Sequence, residues 1–155
     1  MAMPRKISIN FDLDGTLANL YARPTWLQEL RAFDPTPYEV AQVMVNMSLL
    51  ARYLNRLQAK GFEINIISWL SKDSNTDYDQ KVKQAKLRWL RKHLPSVKFD
   101  NIYIVPYGTP KSHLVSHNAL NILFDDEVNN QIEWEKANKG YAYPPNCILG
   151  FLKKL

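Results

Sequence analysis

The chain has one cysteine, three histidines and no apolar run near the ~18 residues that a membrane-spanning helix requires. Cys147 finds no disulfide partner within the chain, which suits a reducing compartment, and the cytoplasm is the expected location. His93, His113 and His117 stand at no metal-ligand spacing with the cysteine and are expected to be structural or exposed. Met1-Ala2-Met3-Pro4-Arg5-Lys6 runs into the first strand with no apolar secretory segment. No repeat, low-complexity tract or linker divides the 155 residues. One domain is therefore expected, large enough to bury about 70% of the surface its unfolded chain exposes. Of the residues, 46% are hydrophobic and 23% charged, as in an ordinary globular protein.

The formal net charge of +5 permits an anionic partner without requiring one. Much of the excess lies in the segment 81–93, where Val82, Ala85, Trp89 and Leu90 form a buried stripe at helical spacing. The basic residues of that segment are expected on the remaining, solvated face. Such a face could raise the local concentration of a phosphorylated substrate; a nucleic-acid patch is the less favoured reading.

Strand-like runs alternate with helical segments, the pattern of an α/β fold with a parallel sheet. Strands are expected at 6–11, 62–67, 102–105, 121–124 and, shortest, 141–143. Thr36-Pro37-Tyr38-Glu39 reads as a capping box whose helix continues to Lys60 and stops at Gly61. Further helices are expected at about 77–93 and 128–138. Thr109 is expected to cap a helix with Pro110 in its first position, and Asn146 to cap a C-terminal one.

The run Phe11-Asp12-Leu13-Asp14-Gly15-Thr16-Leu17 places two carboxylates two residues apart where the first strand gives way to a turn. Residues so spaced in extended backbone share a direction. Two carboxylates this close repel unless a proton or cation lies between them. The pair suits a nucleophile and an acid/base partner around a divalent metal, although a pair of turn or N-cap aspartates would look the same. In an open parallel sheet, ligands bind beyond the carboxyl ends of the strands. Asp12/Asp14, Ser68, Lys111 and Asp125/Asp126 all fall at or just past such ends, and the convergence favours function.

In motif order, Asp12-Leu13-Asp14-Gly15-Thr16, Ser68, Lys111 and Phe124-Asp125-Asp126-Glu127 resemble the haloacid dehalogenase-like (HAD) hydrolase superfamily over nearly the whole chain. The first and fourth motifs carry the specificity. The resemblance implies a Rossmann-like three-layer sandwich with a mostly parallel five-stranded sheet. It implies that Asp12 attacks phosphorus, that Asp14 is the acid/base and that Ser68 donates to a phosphoryl oxygen. Lys111 would offset charge, with Lys98 a weaker rival for that place. Mg²⁺ is the implied cofactor, held by the Asp12 carboxylate, the Asp14 main-chain carbonyl and Asp126. Asp125 and Asn130 would support these ligands, with Asp125 holding Lys111.

Only about residues 18–47 are available for a cap insertion, enough for a short helical flap bearing Trp26, Leu27 and Leu30. The 5′(3′)-deoxyribonucleotidase-like branch, which also has a small cap, is the most similar. The expected substrate is a small phosphate ester, a (deoxy)nucleoside monophosphate before others, with Trp69 and Tyr107 placed to touch it. A nucleic-acid end phosphatase and a non-catalytic module binding a phosphorylated ligand or protein stand as alternatives.

Overall fold

The computed structural model describes residues 5–155, and Met1–Pro4 lie outside the described residues. β1 (Lys6–Phe11) alternates sharply: Ile9 and Phe11 face one way, Ser8 and Asn10 the other, and all four are buried. It lies at the centre of a five-stranded sheet with β4 (Glu63–Trp69), β5 (Asn101–Val105), β6 (Ala119–Phe124) and β7 (Gly140–Tyr143). The order is β5-β4-β1-β6-β7, and every pairing is parallel. Phe11 is in register with Ile66 on one side and Phe124 on the other, so β1 and β6 finish together while β4 runs on to Trp69.

One face of the sheet carries the main core. Ile9, Phe11, Ile64, Ile66, Ile122 and Phe124 pack on α3 (Met47–Ala59), α4 (Thr76–His93) and α6 (Ile148–Lys153). Leu50, Leu54 and Leu57 of α3 are fully buried at i, i+4, i+7 spacing, each worth about 1.5–3 kcal/mol of transfer free energy. The opposite face packs Ile67, Leu123 and Ala142 against Trp134 of α5 (Val128–Lys136). Helices on both sides make the expected three layers.

That second face also carries a ladder of polar side chains. Asn101 donates to Asn65 at 3.0 Å, Asn65 to Asn10 at 2.9 Å, Asn10 to Ser8 at 2.9 Å and Ser8 to Asn121 at 2.6 Å. Asn121 ends the chain of donors on the Ser116 carbonyl at 2.8 Å. Each buried group is thereby satisfied, as burial demands.

Between β1 and α3 lie β2 (Ala18–Asn19), a 3-10 turn at Leu20–Ala22, α1 (Trp26–Arg31), α2 (Thr36–Val40) and β3 (Gln42–Val43). The expected continuous helix from Thr36 to Lys60 is therefore two helices. Ala41 is extended, β3 pairs with β2, and the Asn46 side chain accepts from Leu49 N to start α3 afresh. Thr36 is not the cap; Asp34 Oδ1 accepts from its amide at 2.9 Å and its hydroxyl at 2.6 Å. Three bonds hold this segment to α4: Tyr78 Oη to Asp34 O at 3.0 Å, Arg88 to Glu39 at 2.8 Å, and Trp89 Nε1 to Ala41 O at 2.7 Å.

Two other caps differ from expectation. Thr109 bonds back to Pro106 O, and the following segment is a single 3-10 turn, Lys111–Leu114, rather than an α-helix. Asn146 lies within a 3-10 turn, Pro145–Cys147, ahead of α6, and caps nothing.

Candidate active site

Beyond β1, the amides of Thr16, Leu17 and Ala18 all converge on Leu13 O at 3.2, 3.0 and 2.9 Å, which curls the chain into a tight loop. Gly15 permits this curl with φ +83°, a conformation strained for residues with a Cβ. A Cβ there would lie 2.3 Å from Asp126 Oδ2, so the glycine also admits that carboxylate. Asp12 N donates to Phe124 O at 2.9 Å, joining the ends of β1 and β6.

The acidic groups meet as expected from the strand ends. One carboxylate oxygen from each of Asp12, Asp125 and Asp126 lies within 4.8 Å of the others. Asp12 accepts from Lys111 Nζ at 2.8 Å and from Thr16 Oγ1 at 2.9 Å. The Thr16 hydroxyl also lies 3.2 Å from Asp126 Oδ1, so it bridges the two carboxylates. Asp125 is filled by protein donors: Lys111 at 2.7 Å and Asn130 at 3.1 Å on Oδ2, and Glu127 N at 2.9 Å on Oδ1.

Lys111 is almost wholly buried and braced from behind. Glu133 accepts from the Ser112 amide at 3.1 Å and hydroxyl at 2.6 Å, and Lys139 donates to Ser112 O and Val115 O at 2.6 and 3.0 Å. Burial opposes the Lys111 charge, but Asp12 and Asp125 outweigh it and hold the ammonium well above its ordinary range. Lys98, the rival basic residue, is exposed beside α3, where its carbonyl accepts from Gln58.

The acids are raised as well, but for a carboxyl that favours the neutral form. Burial first, then a hydrogen bond and repulsion from Asp12, push Asp126 up to about 8. Burial and the Asp12 charge push Asp125 to about 6 against the pull of Lys111. Burial likewise raises Asp14, opposed by a 2.9 Å ion pair with Lys86.

Lys86 corrects the sequence reading, which put it on the solvated face of α4. It is fully buried, with Nζ bonded to Asp14 Oδ2, Ser68 Oγ at 2.7 Å and Trp69 O at 2.6 Å. Its place was legible in the spacing: Lys86 lies four residues after Val82 and three before Trp89, within the apolar stripe. Thr16 was missed as well, because a threonine after an Asp-Gly turn reads as ordinary turn chemistry.

A cavity of about 390 Å³ opens over these groups. Asp12, Asp14, Lys111 and Asn130 reach it, and Tyr21, Trp26, Trp69 and Tyr107 are among its walls. Trp69 and Tyr107 pack at 4.9 Å between centroids, and Trp69 Nε1 donates to Thr109 O at 2.8 Å, so the pair forms a braced wall. Ser68 departs from expectation: it is fully buried beneath Lys86 and does not line the cavity. The three histidines stand elsewhere, His113 and His117 exposed and His93 packed on Trp89.

No family model matches the chain, and no curated protein does. Solved structures similar to it include D,D-heptose 1,7-bisphosphate phosphatase from Burkholderia thailandensis, with 10% identity, a TM-score of 0.49, and coverage of 88% of this chain and 75% of that one. The enzyme of the same name from B. bronchiseptica, complexed with magnesium and phosphate, gives 16% identity, a TM-score of 0.48, and coverage of 90% and 78%. A protein named as a haloacid dehalogenase-like hydrolase, from Burkholderia xenovorans, gives 15%, 0.49, 91% and 81%. Likenesses this distant carry no weight for activity, which must be read from the site's own residues.

Proposed function

We propose that this protein is a Mg²⁺-dependent phosphatase of the HAD-like type, hydrolysing a small phosphate monoester through an aspartyl-phosphate on Asp12. The observation that carries the reading is the meeting of Asp12 and Asp126, from separate strand ends, with a buried lysine on one of them.

The donor set fits a divalent cation. Three carboxylates crowd one point with a single ammonium among them, and burial first, then Asp12, push Asp126 up to about 8. The Asp12 carboxylate, the Asp14 main-chain carbonyl and Asp126 would hold Mg²⁺; both Asp125 oxygens already accept from protein donors, which suits a supporting role. Bound there, Mg²⁺ would screen the carboxylates from an incoming phosphate and polarise its oxygens.

The residues then divide the work. Asp12, held by Lys111 and Thr16, presents an oxygen to phosphorus; the new O–P bond forms as the ester bond breaks. Asp14 gives its proton to the departing oxygen, then takes one from the water that hydrolyses the acyl phosphate. Lys111 stabilises the charge gathered between Asp12 and the phosphoryl group. Ser68 would act indirectly, through the Lys86 ammonium that it accepts from.

A cavity of about 390 Å³ with Trp69 and Tyr107 in its wall suits a small ester bearing a flat group, and a (deoxy)nucleoside monophosphate is the substrate we favour. Turnover of p-nitrophenyl phosphate with Mg²⁺, lost in Asp12→Asn and in EDTA, is the expected result. A panel of nucleoside monophosphates beside 3′- and 5′-phosphorylated oligonucleotides tests the substrate; equal rates on both classes, or activity on sugar phosphates alone, would overturn the nucleotide preference.

A further inference from the structure

We infer that Lys86 is a positioning residue for the acid/base: it sets which Asp14 carboxyl oxygen faces the leaving group. This rests on the phosphatase reading above.

An ammonium has three protons, and Lys86 spends all of them on Asp14 Oδ2, Ser68 Oγ and Trp69 O. The Tyr38 ring, from α2, lies 4.8 Å from Nζ, and the residue has no exposed surface. Lys86 therefore cannot reach a substrate. It ties the loop after β1 to the end of β4, through one oxygen of one carboxylate. The other oxygen, Oδ1, receives no hydrogen bond from the described residues, and Asp14 lines the cavity. With Oδ2 captured, Oδ1 is the oxygen left to give a proton to the departing oxygen and to take one from the hydrolytic water.

The consequence is selective. An alkyl leaving group departs as an alkoxide unless it is protonated, so it depends on Asp14 being aimed correctly. A p-nitrophenolate leaves without that help. Loss of Lys86 should therefore separate the two ester classes, whereas general loosening of the fold would slow both alike.

The test is Lys86→Met, which keeps an unbranched apolar stem and removes the three donors. The Mg²⁺-loaded protein is assayed on p-nitrophenyl phosphate and on the alkyl ester that the wild type turns over best in the panel above. The kcat/KM on the alkyl ester, which reports the steps up to formation of the aspartyl-phosphate, should fall by on the order of 100-fold, and that on p-nitrophenyl phosphate by less than about tenfold. Equal losses of kcat/KM on both esters, or none on either, overturn the inference. Should Lys86→Met lose its native circular dichroism, Lys86→Gln, which retains a donor, is held to the same criterion. A wild type inactive on every ester fails the phosphatase reading itself, and the inference with it. An active wild type beside an unselective variant fails this inference alone.

Discussion

Replacing Gly15 by alanine adds one methyl group and changes no charge or hydrogen bond, yet it should strike both the fold and the proposed metal site. The left-handed conformation at φ +83° costs an L-residue about 1–2 kcal/mol. The new Cβ would also meet Asp126 Oδ2 at 2.3 Å and Cγ at 2.7 Å. Restoring an ordinary contact of about 3.5 Å moves that carboxylate by on the order of 1 Å. A displacement of that size in a reacting constellation costs about 100-fold in rate. Urea unfolding of metal-free protein should therefore show a loss of about 1–2 kcal/mol. Calorimetric titration should show weaker Mg²⁺ binding, and kcat should fall about 100-fold. Gly150→Ala is the matched control: it lies in α6, its Cβ meets nothing within 4 Å, and it should stabilise by up to about 1 kcal/mol. A Gly15→Ala protein that binds Mg²⁺ and turns over like wild type would refute the placement of Asp126 as a ligand.

Metal and pH should be coupled with a definite sign. Asp126, ordinarily near 4, titrates at about 8 in the folded metal-free protein, so between those values the folded chain keeps a proton that the unfolded chain has lost. Its contribution is fully present below about pH 4, declines as pH rises to about 8 and is then lost; Asp125 at about 6 acts in the same direction. The gain in Tm on adding Mg²⁺ should thus be larger at pH 8 than at pH 5, and a gain independent of pH would contradict it. Glu133→Gln weakens the clamp on Ser112, and a stability loss of about 1–2 kcal/mol with reduced kcat is expected in denaturant melts and assays. Trp89→Phe leaves the buried Ala41 carbonyl unpaired, costs about 1–3 kcal/mol and should make residues 18–46 more sensitive to limited proteolysis.

The sheet was legible because its strands are short apolar runs bounded by turn residues, and Asp12, Lys111, Asp125 and Asp126 follow from where those runs stop. The break at Ala41 was not. Thr36 through Leu57 has a nearly continuous helical pattern, and only tertiary contacts, the β2–β3 pair and the Trp89 bond to Ala41, interrupt it. The cover over Ser68 was not legible for a related reason. A strand end shows that a hydroxyl comes near the site, but its neighbour Lys86 approaches from a helix eighteen residues later and covers it. Sequence periodicity marked that lysine as inward-facing; the assumption that lysines face water overrode it.

The asparagines behind the site have a consequence of their own. From Asn101 through Asn65, Asn10 and Ser8 to Asn121, every member gives a proton to the next, so the row has a direction, like a queue passing one object along. Exchanging a single member for aspartate would leave its neighbour with two acceptors facing one another, and only a turn of every amide downstream could mend it. Substitutions there should be strongly non-additive. Because Asn10 stands two residues before Asp12, such an error would travel along β1 to the carboxylate cluster.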